Sequence, residues 1–450
     1  MRVRNFITLF TLYLLTITSV SAQTESDSSS NIKTTAHFQL TVISQDHLSF
    51  KSLYSGNNSL PSQAQWGATS ITSTLFLGRK LWKGGNFYFD PEISGGQGLG
   101  GSLGVAGALN GETYRVGDAT PSVFIARAYF QQQISLSKDS FENVDDDINQ
   151  IKGKVPSQRI TISAGKFAIS DFFDDNQYSH DPRTQFLNWS LMSNGAWDYP
   201  ANTRGYTFGI VTEFVKRMWT LRLASVAVPS IANSPKMEYD FTKAHSETIE
   251  IERKISLNNN PGTVRLLFSE MYSRAPSYQS GLKAIATNDT DLLKVISGEA
   301  KGNNFGGKKY TIGFSGDQQL NHWLGIFLRA GWNDGKDATW AFTEIDQTLS
   351  AGLSVKGILW KCPNDVFGLA SVINGISKDH KEFLKAGGYG FIIGDGNLNY
   401  GHEGIIEAYY NTHVTKFFTL GLDYQFVNNP GYNKDRGPVN AFAVRGHIDF

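Results

Sequence analysis

Polar and apolar residues alternate along much of this chain. At its end Phe442, Val444, Gly446, Ile448 and Phe450 take every second position, with Ala441, Ala443, Arg445, His447 and Asp449 between them. Phe418, Leu420, Leu422, Tyr424 and Phe426 alternate with Thr419, Gly421, Asp423 and Gln425. Leu349, Ala351, Leu353 and Val355 alternate with Ser350, Gly352, Ser354 and Lys356, and Tyr310, Ile312 and Phe314 with Lys309, Thr311, Gly313 and Ser315. Successive strand residues project to opposite faces, so each stretch predicts a β-strand with one apolar and one polar side. Sixteen such segments are predicted, near 37–50, 66–78, 86–94, 121–136, 158–168, 204–215, 218–228, 247–256, 263–273, 308–319, 324–333, 348–360, 365–377, 403–414, 417–427 and 440–450.

Alternation suits a soluble sandwich, whose apolar faces meet a core, as well as a membrane barrel, whose apolar faces meet lipid. Three features favour the barrel. The segments run about ten to fourteen residues, longer than ordinary globular strands and suited to a tilted crossing. Short connections such as Arg79–Gly85, Val215–Met218, Leu257–Gly262, Asn321–Trp323, Lys361–Asn364 and Thr415–Lys416 alternate with long ones such as Ser170–Thr203, Arg274–Gly307, Asp334–Gln347 and Lys378–Gly401. Short periplasmic turns and long outer loops give that rhythm. The chain also ends on a strand with a terminal aromatic, Phe450. The expected fold is therefore all-β: a transmembrane antiparallel barrel of about sixteen strands, with long outer loops folding toward the lumen. An even strand number puts both ends on the periplasmic side. Ser137–Ser157 breaks the rhythm, being long and acidic where parity calls for a short turn.

Composition agrees. Gly contributes 45 residues and aromatics 13%, as befits a barrel with aromatic girdles. Trp82, Trp219, Trp323 and Trp360 lie at short-turn ends, where such a girdle belongs. Met1-Arg-Val-Arg, the apolar run Phe6–Ile17 and Val20-Ser-Ala read as a secretory signal peptide over 1–22. A polar lead-in over 23–36 and one barrel domain over 37–450 follow. Beyond the leader no apolar stretch is long enough for a spanning helix. Lys+Arg and Asp+Glu number 41 each, and removing Arg2 and Arg4 leaves 39 against 41, so bulk basicity for nucleic acid is absent. The single Cys362 excludes an intramolecular disulfide and multi-Cys metal sites.

Leu77-Gly-Arg-Lys-Leu-Trp-Lys-Gly-Gly with Phe89-Asp-Pro-Glu-Ile-Ser, Ala164-Gly-Lys-Phe with Asp171-Phe-Phe-Asp-Asp-Asn-Gln-Tyr and Asp181-Pro-Arg-Thr-Gln-Phe, and Glu407-Ala-Tyr-Tyr with Asp423-Tyr-Gln-Phe-Val-Asn-Asn-Pro-Gly-Tyr-Asn carry a likeness. These stretches resemble the carbohydrate-selective porin family of bacterial outer membranes, over most of 66–450 and least between 229 and 307. The resemblance implies a sixteen-stranded outer-membrane porin that admits sugars, works as a monomer and lies in outer-membrane lipid.

A porin needs an eyelet rather than a reaction centre; width, charge and hydrogen-bonding groups set its selectivity. Sugar hydroxyls suit carboxylate, guanidinium and amide groups, and the C–H faces of sugars suit aromatic rings. Alternation turns Asp90 and Glu92 inward, with Phe87, Phe89, Pro91 and Ile93 outward. In the next strand it turns Arg127, Tyr129 and Gln131 inward, with Phe124, Ala126, Ala128 and Phe130 outward. The loop Ser170–Thr203 carries Asp171, Asp174, Asp175, Asp181, Arg183, Trp189, Trp197 and Asp198. It is expected to fold inward and form the eyelet with Glu92 and Arg127, its acids and the basic residues setting a transverse field. No catalytic residues, metal ligands or cofactor are expected. Gly96-Gln-Gly-Leu-Gly-Gly101 matches a dinucleotide fingerprint in letters, but no amphipathic helix follows it, and a tight loop at or inside the barrel mouth is expected instead. Two alternatives compete with a passive sugar porin: an outer-membrane barrel enzyme, and a porin for another small anionic or polar solute. A soluble exported sugar-binding β-protein is a third class.

Overall fold

The structure, a computed structural model, describes residues 33–113, 119–138 and 140–450. The expected signal peptide and the lead-in as far as residue 32 lie outside the described residues. No helix of the described residues is long and apolar enough to cross a membrane.

Sixteen strands form one closed barrel. They are β1 (Thr34–His47), β2 (Gln65–Trp82), β3 (Gly85–Gly96), β4 (Ser122–Ser135), β5 (Arg159–Phe167), β6 (Thr207–Lys216), β7 (Trp219–Val226), β8 (His245–Leu257), β9 (Asn260–Ser273), β10 (Gly307–Asn321), β11 (Leu324–Asn333), β12 (Gln347–Lys356), β13 (Val366–Gly375), β14 (Glu403–His413), β15 (Phe418–Asn428) and β16 (Val439–Asp449). Each is antiparallel to its neighbours in sequence, and β1 pairs with β16, with Gln39 opposite Asp449. The seam ends at the last residue. Phe38 N donates to Phe450 O at 2.8 Å, Phe450 N donates back to Phe38 O at 3.1 Å, and the two rings pack at 5.2 Å.

The faces decide the surroundings. Outward positions are apolar and exposed all round the wall, among them Phe87, Phe214, Ile249, Phe268, Ile312, Leu328, Leu369, Ile406, Leu422 and Val444. Inward positions include charged Glu250, Arg329, Glu403 and Glu407, fully buried by loops that enter the lumen. A soluble sandwich has the opposite arrangement, so the exposed apolar band is a lipid-facing belt. Trp82, Trp219 and Trp360 are exposed at its short-turn edge, and Trp66 and Trp332 at the other edge.

Every expected strand is present, with shifted ends. β1 starts at Thr34 rather than residue 37, because Thr34–Ala36 already pair with Arg79–Leu77. β2 runs on to Trp82, leaving a two-residue turn at Lys83–Gly84 in place of the longer connection expected. Gly84 is required there: its φ is +76°, and a Cβ would lie 2.3 Å from Gln133 O. The expected strand 348–360 stops at Lys356 and continues as a 3-10 turn, Gly357–Trp360.

One facing assignment is corrected. Phe124 and Ala126 point inward, and Val123 and Ile125 are the lipid-exposed residues. The register shifts between Asp90–Arg127 and Pro91–Ile125, so Ala126 is the extra residue of a β-bulge. A bulge reverses the alternation on one side of itself. Beyond it Arg127, Tyr129 and Gln131 face the lumen, as alternation indicates.

Candidate functional site

The loop 168–206 runs inside the barrel, and polar groups of the wall hold it from end to end. Arg329 Nε donates to Asp174 Oδ1 at 2.9 Å, and the same side chain donates to the Leu191 and Ser179 carbonyls. Glu407 accepts the Leu187 and Asn188 backbone N–H groups. Arg445 donates to the Pro182 and Gln185 carbonyls, and Asn411 to that of Thr184. These partners sit on β11, β14 and β16, across the barrel from β5, where the loop begins. A loop tethered to the opposite wall narrows the passage.

A second loop enters beside it. Within Gly96–Gly101 the chain turns through a short 3-10 segment, Leu99–Gly101, and then descends. Glu403 Oε2 and Oε1 accept the Ala106 and Gly107 N–H groups, both at 2.9 Å. Trp189 Nε1 donates to Asn110 O at 2.8 Å, joining the two loops. The glycine-rich run is therefore the bend that delivers this loop into the lumen.

Between the loops and β2–β3 lies a cavity of about 100 Å³. One wall is charged. Arg183 Nη2 donates to Glu92 Oε2 at 3.1 Å, its Nε lies 3.2 Å from Glu112 Oε2, and its Nη1 donates to Gln39 and Thr74. Glu92 also accepts from Thr74 Oγ1 at 2.6 Å and from the Tyr206 hydroxyl at 3.0 Å. Burial, together with Glu92 nearby, holds the Glu112 carboxyl above the usual carboxylate range, although Arg183 draws it down. The other wall is aromatic. Trp189 stacks on Phe342 with centroids 5.4 Å apart and planes 10° apart, and Phe342 meets Tyr199 at 4.1 Å. Asp198 fixes that wall by accepting the Trp340, Ala341 and Phe342 N–H groups, each at 2.8 Å. Guanidinium and carboxylates facing stacked rings form a surface suited to a polyhydroxylated ring.

A second charged group lies nearer the short turns. Arg127 makes a two-pronged bond to Asp171, both contacts 2.6 Å, and its Nη1 lies 3.6 Å from Asp90 Oδ2.

The expected site residues thus separate. Glu92, Arg183 and Trp189 line the cavity. Asp90, Arg127 and Asp171 form the second group, and Tyr129 packs under it against Tyr88. Asp175 is exposed, and Asp181 caps the turn at Arg183 N and Thr184 Oγ1. Asp174 and Trp197 are buried, Asp174 among Arg329, Ser193 and Asn194, and Trp197 against Phe173 and Tyr199. They shape the loop without lining the cavity. Each arginine contacts its acids directly.

Thr72, Glu112, Tyr199, Tyr206 and Phe342 line the cavity and were not singled out from the sequence. Alternation along β2 was signal enough for Thr72. Glu112, Tyr199 and Phe342 lie in loops, where no period marks a facing, and Tyr206 stands just before β6, which starts at Thr207.

Residues 61–450 match the sequence profile of the carbohydrate-selective porin, OprB family. Among solved structures, the high-pH structure of OprB from Pseudomonas putida is similar at a TM-score of 0.67 and 14% identity, over 93% of this chain and 94% of that one. The low-pH structure of the same protein gives 0.49 and 11%, over 93% of each chain. The outer-membrane channel DcaP of Acinetobacter baumannii gives 0.48 and 9%, over 95% of this chain and 100% of that one. No curated protein matches the chain in sequence.

Proposed function

The chain belongs to the carbohydrate-selective porin, OprB family, and on that premise we propose that it passes sugars through an eyelet formed by Arg183, Glu92 and Glu112 on one side and Trp189, Phe342 and Tyr199 on the other. It is an outer-membrane channel of a Gram-negative bacterium that conducts sugars and small polar solutes by passive diffusion. One observation carries the eyelet: a charged trio and a packed aromatic trio face one cavity lined by the inserted loops.

The chemistry follows from differential solvation. A sugar entering a narrow passage sheds water, and Glu92, Glu112 and Arg183 replace those hydrogen bonds. The aromatic face covers the C–H side of the ring, which water serves poorly. The groups are fixed in mutual bonds before a solute arrives, so little side-chain entropy is lost on contact. No step needs a nucleophile or proton transfer, and the reading is a channel rather than an enzyme. Wall and eyelet come from one chain, which supports a monomer as the working unit, with membrane lipids around the apolar belt.

Liposome swelling tests the reading. Vesicles carrying the protein are expected to swell in monosaccharides and, at rates falling with size, in oligosaccharides. Equal swelling in sugars and in size-matched uncharged non-sugar solutes, together with no effect of Arg183→Ala, would remove the eyelet from the account.

A further inference from the structure

The acidic turn 136–158 is on the short-turn side, the periplasmic one, yet it does not stay outside the barrel. It forms a hairpin, Phe141–Val144 against Gly153–Pro156, whose tip folds back into the mouth. Asn149 Nδ2 donates to Asp90 Oδ2 at 3.1 Å. Asp90 is fully buried and sits five positions beyond Gly85, so the contact is about 17 Å up a strand from the turn. Ile151 is buried in the cluster that contains Tyr88 and Tyr129, on β3 and β4. On the other flank Asp146 Oδ2 lies 3.6 Å from His37 Nε2 on β1. The tip thus lies inside the mouth along the wall formed by the neighbouring strands β1 to β4.

Its position is fixed rather than incidental. Asp147 and Gln150 exchange backbone hydrogen bonds of 3.1 and 2.9 Å, closing the tip, and Asn149 adopts a φ of +54°. Arg127 links Asp90 to Asp171, so the outer loop and this turn meet on one ladder of charges. Asp90 Oδ1 and Asn149 Oδ1 are buried and have no hydrogen-bond partner among the described residues. Two such acceptors side by side suit water or a solute hydroxyl in transit. The segment Ser137–Ser157 carries five acids, at 139, 142, 145, 146 and 147, against three lysines, at 138, 152 and 154.

We propose that this turn is a second, exit-side constriction of the pore, which sets the width and cation preference of the periplasmic mouth through its tip at Asp145–Ile151. The inference rests on the channel reading above. The outer eyelet selects on sugar chemistry; the turn then limits flux and biases charge at the exit.

Two variants recorded in planar bilayers test it. In one, 137–157 is replaced by Asn-Gly; Leu136 N already donates to Gln158 O at 2.9 Å, which suits a two-residue hairpin. In the other, Asp145, Asp146 and Asp147 become Asn. The shortened turn is expected to raise single-channel conductance by at least about 1.5-fold, and the triple variant to lower the cation-over-anion permeability ratio by about twofold. Heat-modifiable gel migration confirms that each barrel has formed. Parental conductance and parental reversal potential in the two folded variants would overturn the proposal. If the shortened barrel fails to form, an unchanged reversal potential in the triple variant alone overturns it. Absence of channel steps from the parent protein would instead refute the channel reading, so the two failures are distinct.

Discussion

Arg183 Nη2 donates to Glu92 Oε2 across 3.1 Å, joining a loop that enters from outside to the wall of β3. The same guanidinium reaches Glu112 on the second inserted loop. One cation therefore holds two acids from separate elements at the rim of the cavity. Its removal changes both charge and binding.

Arg183→Ala is expected to weaken sugar block of the ion current about tenfold, equivalent to about 1.4 kcal/mol. It is also expected to increase cation selectivity, since Glu92 and Glu112 lose their shared counter-charge. Current–voltage curves under a salt gradient, with and without sugar, check both effects. An Arg183→Lys variant should keep the charge but not the branched geometry, and so recover selectivity better than sugar block.

Phe342→Leu keeps an apolar side chain, though a smaller one, and loses the stack on Trp189. Aromatic contacts are worth about 0.5–1.5 kcal/mol beyond area, so sugar block is expected to fall by a few-fold with conductance nearly unchanged. A large conductance change instead would mean that Phe342 acts by holding the loop.

Glu112 supplies a pH dependence. Burial raises its carboxyl above the ordinary range, so it takes up a proton early as pH falls. Each such protonation removes one negative charge beside Arg183, and cation preference is expected to decline on the acid side, beginning above the usual carboxylate range. Reversal potentials measured against pH check the sign, and Glu112→Gln should remove this early phase.

Asp174→Ala breaks a buried pair. Arg329 is fully buried and Asp174 nearly so. Removing one partner strands the other charge, at a cost of roughly 3–5 kcal/mol. The variant is expected to unfold on gels at a lower temperature and to show noisier current as the loop loosens. Asp174 also accepts Asn194 N at 2.7 Å, so Asp174→Asn is expected to fall between Ala and the parent.

The barrel was legible in the sequence because lipid outside and water inside enforce a two-residue period along the strands. All sixteen strands follow from it, and Phe442–Phe450 shows it most cleanly, with Arg445 and His447 inward. The period failed at Phe124 and Ala126, where a bulge reverses it and nothing in the local letters marks the extra residue. The proposed eyelet was half legible. Glu92 obeys strand alternation, and the loop holding Arg183 and Trp189 was conspicuous by length and aromatic content. Glu112 and Phe342 were not, because their places depend on anchors distant in sequence, such as Glu403 of β14, which holds the second loop, and Asp198 beneath Phe342. Asp174 and Trp197 illustrate the converse: a charged or aromatic residue on an inserted loop can be the fastener rather than the lining.

The most direct test is sugar-induced block of single-channel current through the purified protein in a planar bilayer. Step-like openings are expected in salt, with ion current reduced in a concentration-dependent way by sugars added on the loop side, and that reduction weakened by Arg183→Ala and Phe342→Leu. Full-sized openings that no sugar reduces, in the parent and in both variants, would contradict a sugar-binding eyelet in this pore.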